Sequence, residues 1–244
     1  MKVKIIAEIG SNWEGKLSIA KKIIQECKNV GAYGVKFQMW RAHDLYSNDH
    51  PNWKDIKKSE LTFKKAKELK KFSDEIGINF ICSVFYPEAV DFLESIGVKL
   101  YKVASRTCLL KDPYSKETLE AITHTKKLVI ISMGMGGDIN NIKKIFRKNK
   151  TVFCFCISEY PLKFSKINWK KAVEFDGFSD HTLGITSPII YTTLKNLRGD
   201  KEIIIEKHVK LNNSKGPDAS TSISVQELAD LITHIKLIEK AKLN

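Results

Sequence analysis

Short apolar, β-branched segments alternate with amphipathic helical segments along nearly the whole chain of 244 residues. This alternation predicts a parallel sheet, because a connection between parallel strands must cross over and usually contains a helix. The segments that read as strands are VKIIAEI, GVKFQ, NFICSVF, KLYKVAS, KLVIIS, TVFCFCIS, FDGFSD and KEIIIEKHV. Eight strand–helix units in a chain of this length predict one closed (β/α)8 barrel, a TIM barrel, over residues 1–244 with no second domain.

The helix boundaries support this interpretation. PEAVDFLESIGV begins with Pro and ends before Gly, as helices prefer, and SVQE opens the last helix with a capping box between Ser224 and Glu227. The segment after the sixth strand has the weakest helical pattern. An open, doubly wound sheet is the alternative, but no G-x-G-x-x-G follows a strand, which disfavours a dinucleotide-binding fold.

The chain is strongly basic, with 41 Lys and Arg against 28 Asp and Glu and a formal net charge of +13. Such a charge suggests an anionic partner, which can be nucleic acid, a membrane surface or a phosphorylated metabolite. Many lysines lie in KKSELTFKKAKELKKFSDE, where they form the solvated face of a helix, and no nucleic-acid-binding motif is present. We therefore expect neither nucleic acid nor a membrane as partner.

Two features indicate a cytoplasmic protein with reduced thiols. No apolar run approaches the ~20 residues that cross a bilayer, and the start, MKVKIIAEIG, is too short for a signal peptide.

The five cysteines include Cys154 and Cys156, which would share one face of a strand. A metal or redox role for this pair is open, beside the simpler interpretation that both are small buried side chains.

Polar residues stand at or near the ends of the predicted strands. The active site of a (β/α)8 barrel lies at the C-terminal ends of its strands, and residues two apart share one face. The candidates are Glu8, Lys36, Gln38, Lys102, Ser105, Ser132, Ser158, Tyr160, Ser179, His181, Glu206 and His208.

These residue types suit a particular chemistry. Two imidazoles on adjacent strands, His181 and His208, can ligate a divalent metal that acts as a Lewis acid. Two lysines with several serine hydroxyls suit a phosphate or carboxylate. Glu8 and Glu206 can handle protons or substrate hydroxyls.

At these residues the sequence resembles the sialic acid (N-acetylneuraminate) synthases. The matching segments occur in the family's order: IAEIGSNWEG, GAYGVKFQ, YKVAS, ISMGM, SEYP, GFSDHTLG, IIEKHV and GPDAS. The resemblance implies a (β/α)8 barrel that condenses phosphoenolpyruvate with the open-chain aldehyde of an N-acetylated hexose, of a close relative or of its phosphate. The products would be nine-carbon 2-keto acids and inorganic phosphate.

The resemblance also implies individual roles. His181 and His208 match the ligands of a divalent ion, manganese or magnesium. The positions that would hold phosphoenolpyruvate are Lys36, Lys102, Ser105, Ser132 and Ser179, with Tyr160 beside them. The positions of the reaction centre, the metal-bound water and the sugar hydroxyls are Glu8, Gln38, Glu206 and Asp218.

Five positions depart from the family pattern. Trp13 and Phe155 stand where the family usually has His, and Ser158 where it has Asn. Arg106 and Thr107 replace a Gly and an acidic residue after Ser105. Because these departures concern mainly the sugar half of the site, we expect an altered acceptor, and we expect Arg106 to bind an anionic or phosphorylated one. A partner such as Asp112 for this arginine is the alternative.

The family's C-terminal antifreeze-like domain has no counterpart before Asn244, so we expect either a homodimer or a separate protein that supplies this domain. Two other functions are open at this stage. A metal-dependent barrel aldolase would release no phosphate from phosphoenolpyruvate, and a non-catalytic ligand-binding barrel would bind without turnover.

Overall fold

The computed structural model describes residues 1–241 and closes the eight predicted strands into one barrel. Each strand pairs in parallel with the next, and the first pairs with the eighth over seven residues, from Lys2↔Glu202 to Glu8↔His208. The strands are β1 (Lys2–Glu8), β2 (Gly34–Met39), β3 (Asn79–Val84), β4 (Leu100–Val103), β5 (Leu128–Ser132), β6 (Thr151–Cys156), β7 (Gly177–Asp180) and β8 (Glu202–Lys210). The prediction of a closed barrel is confirmed, and residues 242–244 of the predicted domain lie outside the described residues.

Helices connect the strands on the outside of the barrel. They are α1 (Leu17–Val30), α2 (Ala42–Leu45), α3 (Trp53–Lys58), α4 (Phe63–Glu75), α5 (Pro87–Ser95), α6 (Ser115–His124), α7 (Ile139–Ile145), α8 (Trp169–Ala172), α9 (Thr186–Leu197) and α10 (Val225–Lys240). The weak pattern after the sixth strand corresponds to α8, which has only four residues. The capping box of α10 is present, with Ser224 and Glu227 bonded to each other's backbone N–H groups.

A two-residue strand, β9 (Ile223–Ser224), pairs with the end of β8 and was not predicted. It extends the sheet beyond the barrel immediately before α10. None of the helices within residues 1–241 has the length and apolar character that a bilayer crossing needs.

Alternation along the strands separates two cores. One face of each strand packs against the helices, and the other face points into the barrel. The lower half of the barrel interior is filled by Ile6, Ile81, Leu100, Ile130, Cys154 and Ile204. Gly177 belongs to this crowded region, since a Cβ there would lie 2.7 Å from Cys154 Sγ and 2.8 Å from the Ile204 carbonyl oxygen. Only glycine fits, and the apolar filling leaves the upper half for polar side chains.

The cysteines are free thiols, and all five are buried. Cys154 and Cys156 share the inner face of β6, as predicted. Cys154 belongs to the apolar filling, whereas Cys156 lines the cavity above it. Burial raises the pKa of both thiols, so neither is a ready thiolate at neutral pH.

Candidate active site

A cavity of about 390 Å³ opens at the C-terminal ends of the strands. Every candidate from the strand ends lines it except Glu8, which contacts the lining residue Lys36. The cavity is lined by Lys36, Gln38, Trp40, Leu45, Tyr46, Ser83, Phe85, Lys102, Ala104, Ser105, Arg106, Ser132, Met135, Cys156, Ser158, Tyr160, Ser179, His181, Glu206, His208 and Asp218. The barrel therefore brings together residues that lie up to 210 positions apart, from Glu8 to Asp218.

Two lysines and two glutamates form a charged layer at the floor of the cavity. Lys36 Nζ lies 2.5 Å from Glu8 Oε2 and 3.6 Å from Glu206 Oε2. Lys102 Nζ lies 3.5 Å from Glu206 Oε1. All four side chains are at most 7 % exposed, so their charges act on one another with little screening by water. Glu206 is shared by both lysines, whereas Lys36 is the only one of these two lysines that contacts Glu8.

Because of this difference in lysine contacts, the two glutamates have very different pKa values. Burial raises the pKa of Glu8 to about 7, since contact with Lys36 offsets only part of the desolvation and Glu206 adds repulsion. Burial would also raise the pKa of Glu206, but Lys102 and Lys36 outweigh it and lower that pKa to about 2. At neutral pH Glu206 is thus a fixed anion, and Glu8 can accept or release a proton. Gln38 Nε2 donates to Glu8 Oε1 at 2.8 Å and orients this carboxyl.

Hydroxyl groups surround the two ammonium groups. Lys102 Nζ donates to Ser132 Oγ at 2.7 Å, and Ser132 Oγ lies 2.8 Å from Ser179 Oγ. Lys36 Nζ donates to Ser83 Oγ at 3.1 Å. Ser83 was missed from the sequence, although its place in β3, two residues after the inward-facing Ile81, could have indicated it. Two cations beside several hydroxyls offer the charge and the donors that a multiply charged oxyanion needs.

Ser105 and Ser158 lie at the edge of this cluster of serine hydroxyls. The backbone N–H of Gly134 donates to Ser105 Oγ at 2.8 Å. A Cβ on Gly134 would lie 2.7 Å from Cys156 Sγ and 2.9 Å from Ser158 Oγ. The glycine thus allows the loop after β5 to approach the serines closely.

The two histidines lie side by side at the C-terminal ends of the paired strands β7 and β8, with ring centroids 5.6 Å apart. His181 Nδ1 is hydrogen-bonded to the carbonyl oxygen of Ile157 at 2.8 Å, which places its proton on Nδ1 and leaves Nε2 as a free lone pair. Burial, together with His208, lowers the pKa of His181 to about 4, and burial lowers that of His208 as well. Both rings are therefore neutral at pH 7, as metal ligands must be. Tyr160 covers His181, with centroids 4.1 Å apart.

The side chains fit a divalent ion with an incomplete protein ligand set. Buried atoms without a hydrogen-bond partner in the described part of the chain include His208 Nδ1 and Glu206 Oε2. Such buried, unpartnered atoms usually point to an ion, water or ligand. No group of three or more His, Cys, Asp or Glu side chains within residues 1–241 has the geometry to hold a metal by itself. An ion held by the two imidazoles would thus complete its coordination with water or substrate oxygens.

The opposite side of the cavity mouth is largely apolar and was not predicted from the sequence. Trp40, Phe85 and their neighbours belong to a small separate core under the loop after β2. The apolar lining residues there are Trp40, Leu45, Tyr46, Phe85, Ala104 and Met135.

Arg106 reaches this rim but is already paired. Its Nε and Nη2 donate to the two carboxylate oxygens of Asp112 at 2.5 Å and 2.8 Å, and Nη2 also donates to the carbonyl oxygen of Leu45 at 3.1 Å. Asp112 is therefore its partner, as the alternative from the sequence had it. Arg106 still lines the cavity, with Nη1 outside these bonds.

Asp218 approaches the cavity from the loop between β8 and β9. Its Oδ2 accepts hydrogen bonds from the backbone N–H and the hydroxyl of Ser11, each at 2.7 Å. The carboxylate thus ties the loop after β1 to the loop after β8, and it also lines the cavity.

Three of the positions that depart from the family pattern lie outside the cavity lining. Trp13 is buried and packs edge-on against Phe37, with centroids 6.2 Å apart. Phe155 faces the helices and packs against Phe175. Thr107 is also buried. Of the five departures, only Arg106 and Ser158 line the cavity.

Comparison with known proteins adds an independent line of evidence. Residues 23–244 match the model of the NeuB family. The chain is 34% identical to N,N'-diacetyllegionaminic acid synthase of Campylobacter jejuni, covering 98% of this chain and 77% of the relative. It is 30% identical to human N-acetylneuraminate-9-phosphate synthase, covering 97% and 70%. The crystal structure of N-acetylneuraminic acid (sialic acid) synthetase from Leptospira borgpetersenii in complex with citrate superimposes with a TM-score of 0.85 at 28% identity, covering 98% of this chain and 85% of that one.

Proposed function

This chain belongs to the NeuB family, and on that basis we propose that it condenses phosphoenolpyruvate with the open-chain aldehyde of an aldose. The reaction would form a carbon–carbon bond and give a sialic-acid-like 2-keto-3-deoxy sugar acid and inorganic phosphate. The observation that carries the proposal is a single site that combines two buried lysines, two neutral histidines and two glutamates, one with a raised and one with a lowered pKa.

We propose that phosphoenolpyruvate binds above the charged layer. Its phosphate and carboxylate need several donors and positive charge, which Lys36 and Lys102 supply together with Ser132, Ser179 and Ser105. In the free protein the lysine charges are balanced by Glu8 and Glu206. When the trianionic ligand binds, its phosphate and carboxylate would therefore replace these glutamates as partners of the lysines.

His181 and His208 would hold a divalent ion, Mn²⁺ or Mg²⁺, beside this site. When bound, the ion supplies Lewis acidity toward the aldehyde oxygen of the acceptor. The anion of Glu206, two residues before His208 on the same face of β8, adds negative charge that favours a cation there.

The protein's own groups account for orientation and proton transfer in the proposed reaction. The lysines and serines hold phosphoenolpyruvate so that its C3 faces the aldehyde carbon. After C3 has attacked, water adds at C2, and the proton that this water loses needs an acceptor. Glu8, which Gln38 orients and whose pKa is about 7, is suited to give a proton to the former aldehyde oxygen, which becomes a hydroxyl, and then to take up the proton that the water loses. Departure of the phosphate then leaves the 2-keto group.

The acceptor would lie between the histidines and the apolar rim. An N-acetylhexosamine-like sugar suits this rim, whereas a phosphorylated sugar would have to use the part of Arg106 that Asp112 leaves free. Arg106 lines the cavity and would stand beside an acceptor of either class.

The test is release of inorganic phosphate from phosphoenolpyruvate with Mn²⁺, screened over aldoses and their 6-phosphates. We expect release only in the presence of one acceptor class, with a 2-keto product of matching mass. Lys195→Met is the matched control, since Lys195 is a buried lysine that does not line the cavity. Tight binding without phosphate release for every sugar would indicate a ligand-binding barrel, and cleavage of the sugar acid without phosphate chemistry would indicate an aldolase.

A further inference from the structure

A buried ion pair lies directly behind the two histidines, on the outer face of the barrel wall. Lys207 Nζ is 2.6 Å from Asp180 Oδ2, and both side chains are fully buried. The two residues are direct partners across β7 and β8. Each is adjacent in sequence to one histidine, and alternation turns the ion pair toward the helices while the histidines face the cavity. Neither charged residue lines the cavity.

The pair is bonded to Thr182, the residue that follows His181. Asp180 Oδ1 accepts from the backbone N–H of Thr182 at 2.9 Å, and Oδ2 accepts from the Thr182 hydroxyl at 3.0 Å. Lys207 Nζ also donates to the carbonyl oxygen of Thr182. The segment that carries His181 is thereby fixed to the residue that precedes His208.

The cavity side of the wall holds the two rings unequally. His181 is oriented by the Ile157 carbonyl oxygen and by Tyr160. His208 Nδ1 has no hydrogen-bond partner within the described residues. The direction of the His208 ring therefore depends on the backbone around Lys207 more than on any bond that the ring makes at Nδ1.

Stability alone is a poor explanation for a lysine and an aspartate at this position. Desolvating two charges offsets most of their attraction, and replacing a buried ion pair by neutral groups of similar volume is often harmless to stability. We propose that Asp180 and Lys207 are positioning residues that set the separation and orientation of His181 and His208 for a single divalent cation. This inference rests on the proposed metal site, and it assigns a task to residues that contact neither ion nor substrate.

The double variant Asp180→Asn/Lys207→Met tests the inference, because it keeps the volume of the pair and leaves no unpaired charge. The matched control is Asp200→Asn/Lys195→Met, which removes a buried lysine paired with an aspartate at 2.6 Å near the opposite end of β8. Mn²⁺ affinity of the chelator-treated proteins is measured by electron paramagnetic resonance. Phosphoenolpyruvate affinity without metal and thermal unfolding are measured on the same samples.

We expect the Asp180/Lys207 double variant to bind Mn²⁺ about tenfold or more weakly, the range seen when groups behind metal ligands are removed. Its unfolding temperature and its affinity for phosphoenolpyruvate should match those of the control variant. If this double variant does not fold, Asp180→Asn/Lys207→Gln, which also leaves no unpaired charge, should lower Mn²⁺ affinity in the same way.

Four results would overturn the inference. Wild-type Mn²⁺ affinity in the Asp180/Lys207 variants would show that the pair does not position the ligands. A parallel loss of Mn²⁺ and phosphoenolpyruvate binding, or an equal Mn²⁺ loss in the control, would show a general structural effect. Absence of Mn²⁺ binding by the wild-type protein, with no change in His208→Ala, would remove the proposed metal site itself and this inference with it.

Discussion

Replacing Lys102 by Met should remove much of the affinity for phosphoenolpyruvate while leaving the barrel folded. The Lys102 side chain is 2% exposed, and its Nζ reaches Ser132 Oγ at 2.7 Å and Glu206 Oε1 at 3.5 Å. Methionine keeps most of the volume but removes the charge and the donors. The charge-assisted hydrogen bond that the ammonium group would make to the ligand is worth roughly 1.5–3 kcal/mol. The dissociation constant should then rise roughly 10- to 150-fold.

A second effect acts in the same direction. Glu206 is 3.5 Å from Lys102, and at an effective dielectric constant of about 20 their attraction is roughly 5 kcal/mol. Without Lys102 this carboxylate is balanced mainly by Lys36, at 3.6 Å, and repels the incoming anion more strongly. The range above is therefore a lower limit for the loss of affinity, and some loss of stability accompanies it.

The double variant Lys102→Met/Glu206→Gln separates the two effects. Removing the unbalanced carboxylate should restore the unfolding temperature and part of the binding, but not the donors that Lys102 provides. Calorimetric titration with phosphoenolpyruvate, without divalent metal, measures affinity, and Lys195→Met serves as a buried-lysine control away from the cavity. An unchanged dissociation constant in folded Lys102→Met would refute the placement of the ligand above this lysine.

The remaining predictions concern the metal ligands, Glu8 and the cavity rim. His181→Ala or His208→Ala should abolish phosphate release and weaken Mn²⁺ binding without unfolding the protein, and full activity of either variant in chelator-treated buffer would contradict the metal role. Because the pKa of Glu8 is about 7 and an added anion raises it further, binding of phosphoenolpyruvate at pH 7 should take up a fraction of a proton and weaken as the pH rises above 7. Calorimetry in two buffers of different ionisation enthalpy measures this uptake, and Glu8→Gln should remove it; uptake that persists in Glu8→Gln assigns the proton elsewhere. Arg106→Ala should raise the KM of the acceptor and leave that of phosphoenolpyruvate nearly unchanged, whereas equal effects on both, or none, would remove Arg106 from the acceptor site.

The barrel and the inward-facing polar residues could be predicted from two features of this sequence. Short β-branched runs mark the strands, and the two-residue spacing within each run shows which side chains share a face. His181 and Ser179, or Glu206 and His208, are therefore on one side of their strands without knowledge of any contact. The closed order of strands then brings these faces to one cavity.

The same periodicity could have shown that Phe155 is not a cavity residue. It lies between Cys154 and Cys156, which face inward, and so points to the helices. Position in a family motif alone does not give side-chain direction. The spacing also places Asp180 and Lys207 outside the barrel, but their direct contact depends on the register of β7 with β8, which the sequence does not specify.

The apolar rim could not be predicted, because it comes from connections without regular periodicity. Leu45 and Tyr46 lie at the end of the short helix α2, and their place at the cavity follows from the packing of the loop on Trp40 and Phe85. The pairing of Arg106 with Asp112 depends likewise on the path of an irregular segment. Bonds between irregular segments leave no repeat in the sequence.

The seven-residue pairing of β1 with β8 has a consequence for how the protein acquires its binding site during synthesis. Glu8 and His208 are neighbours across this seam, although 200 positions separate them along the chain. Because such distant contacts form late and carry a large entropic cost of loop closure, ligand binding should arise only after the eighth strand has joined the first. In a growing chain that has not reached residue 202, the edges of β1 and β7 that later pair with β8 are still unpaired and exposed. Exposed strand edges can pair with other chains. Addition of β8 therefore both completes the binding site and covers these edges.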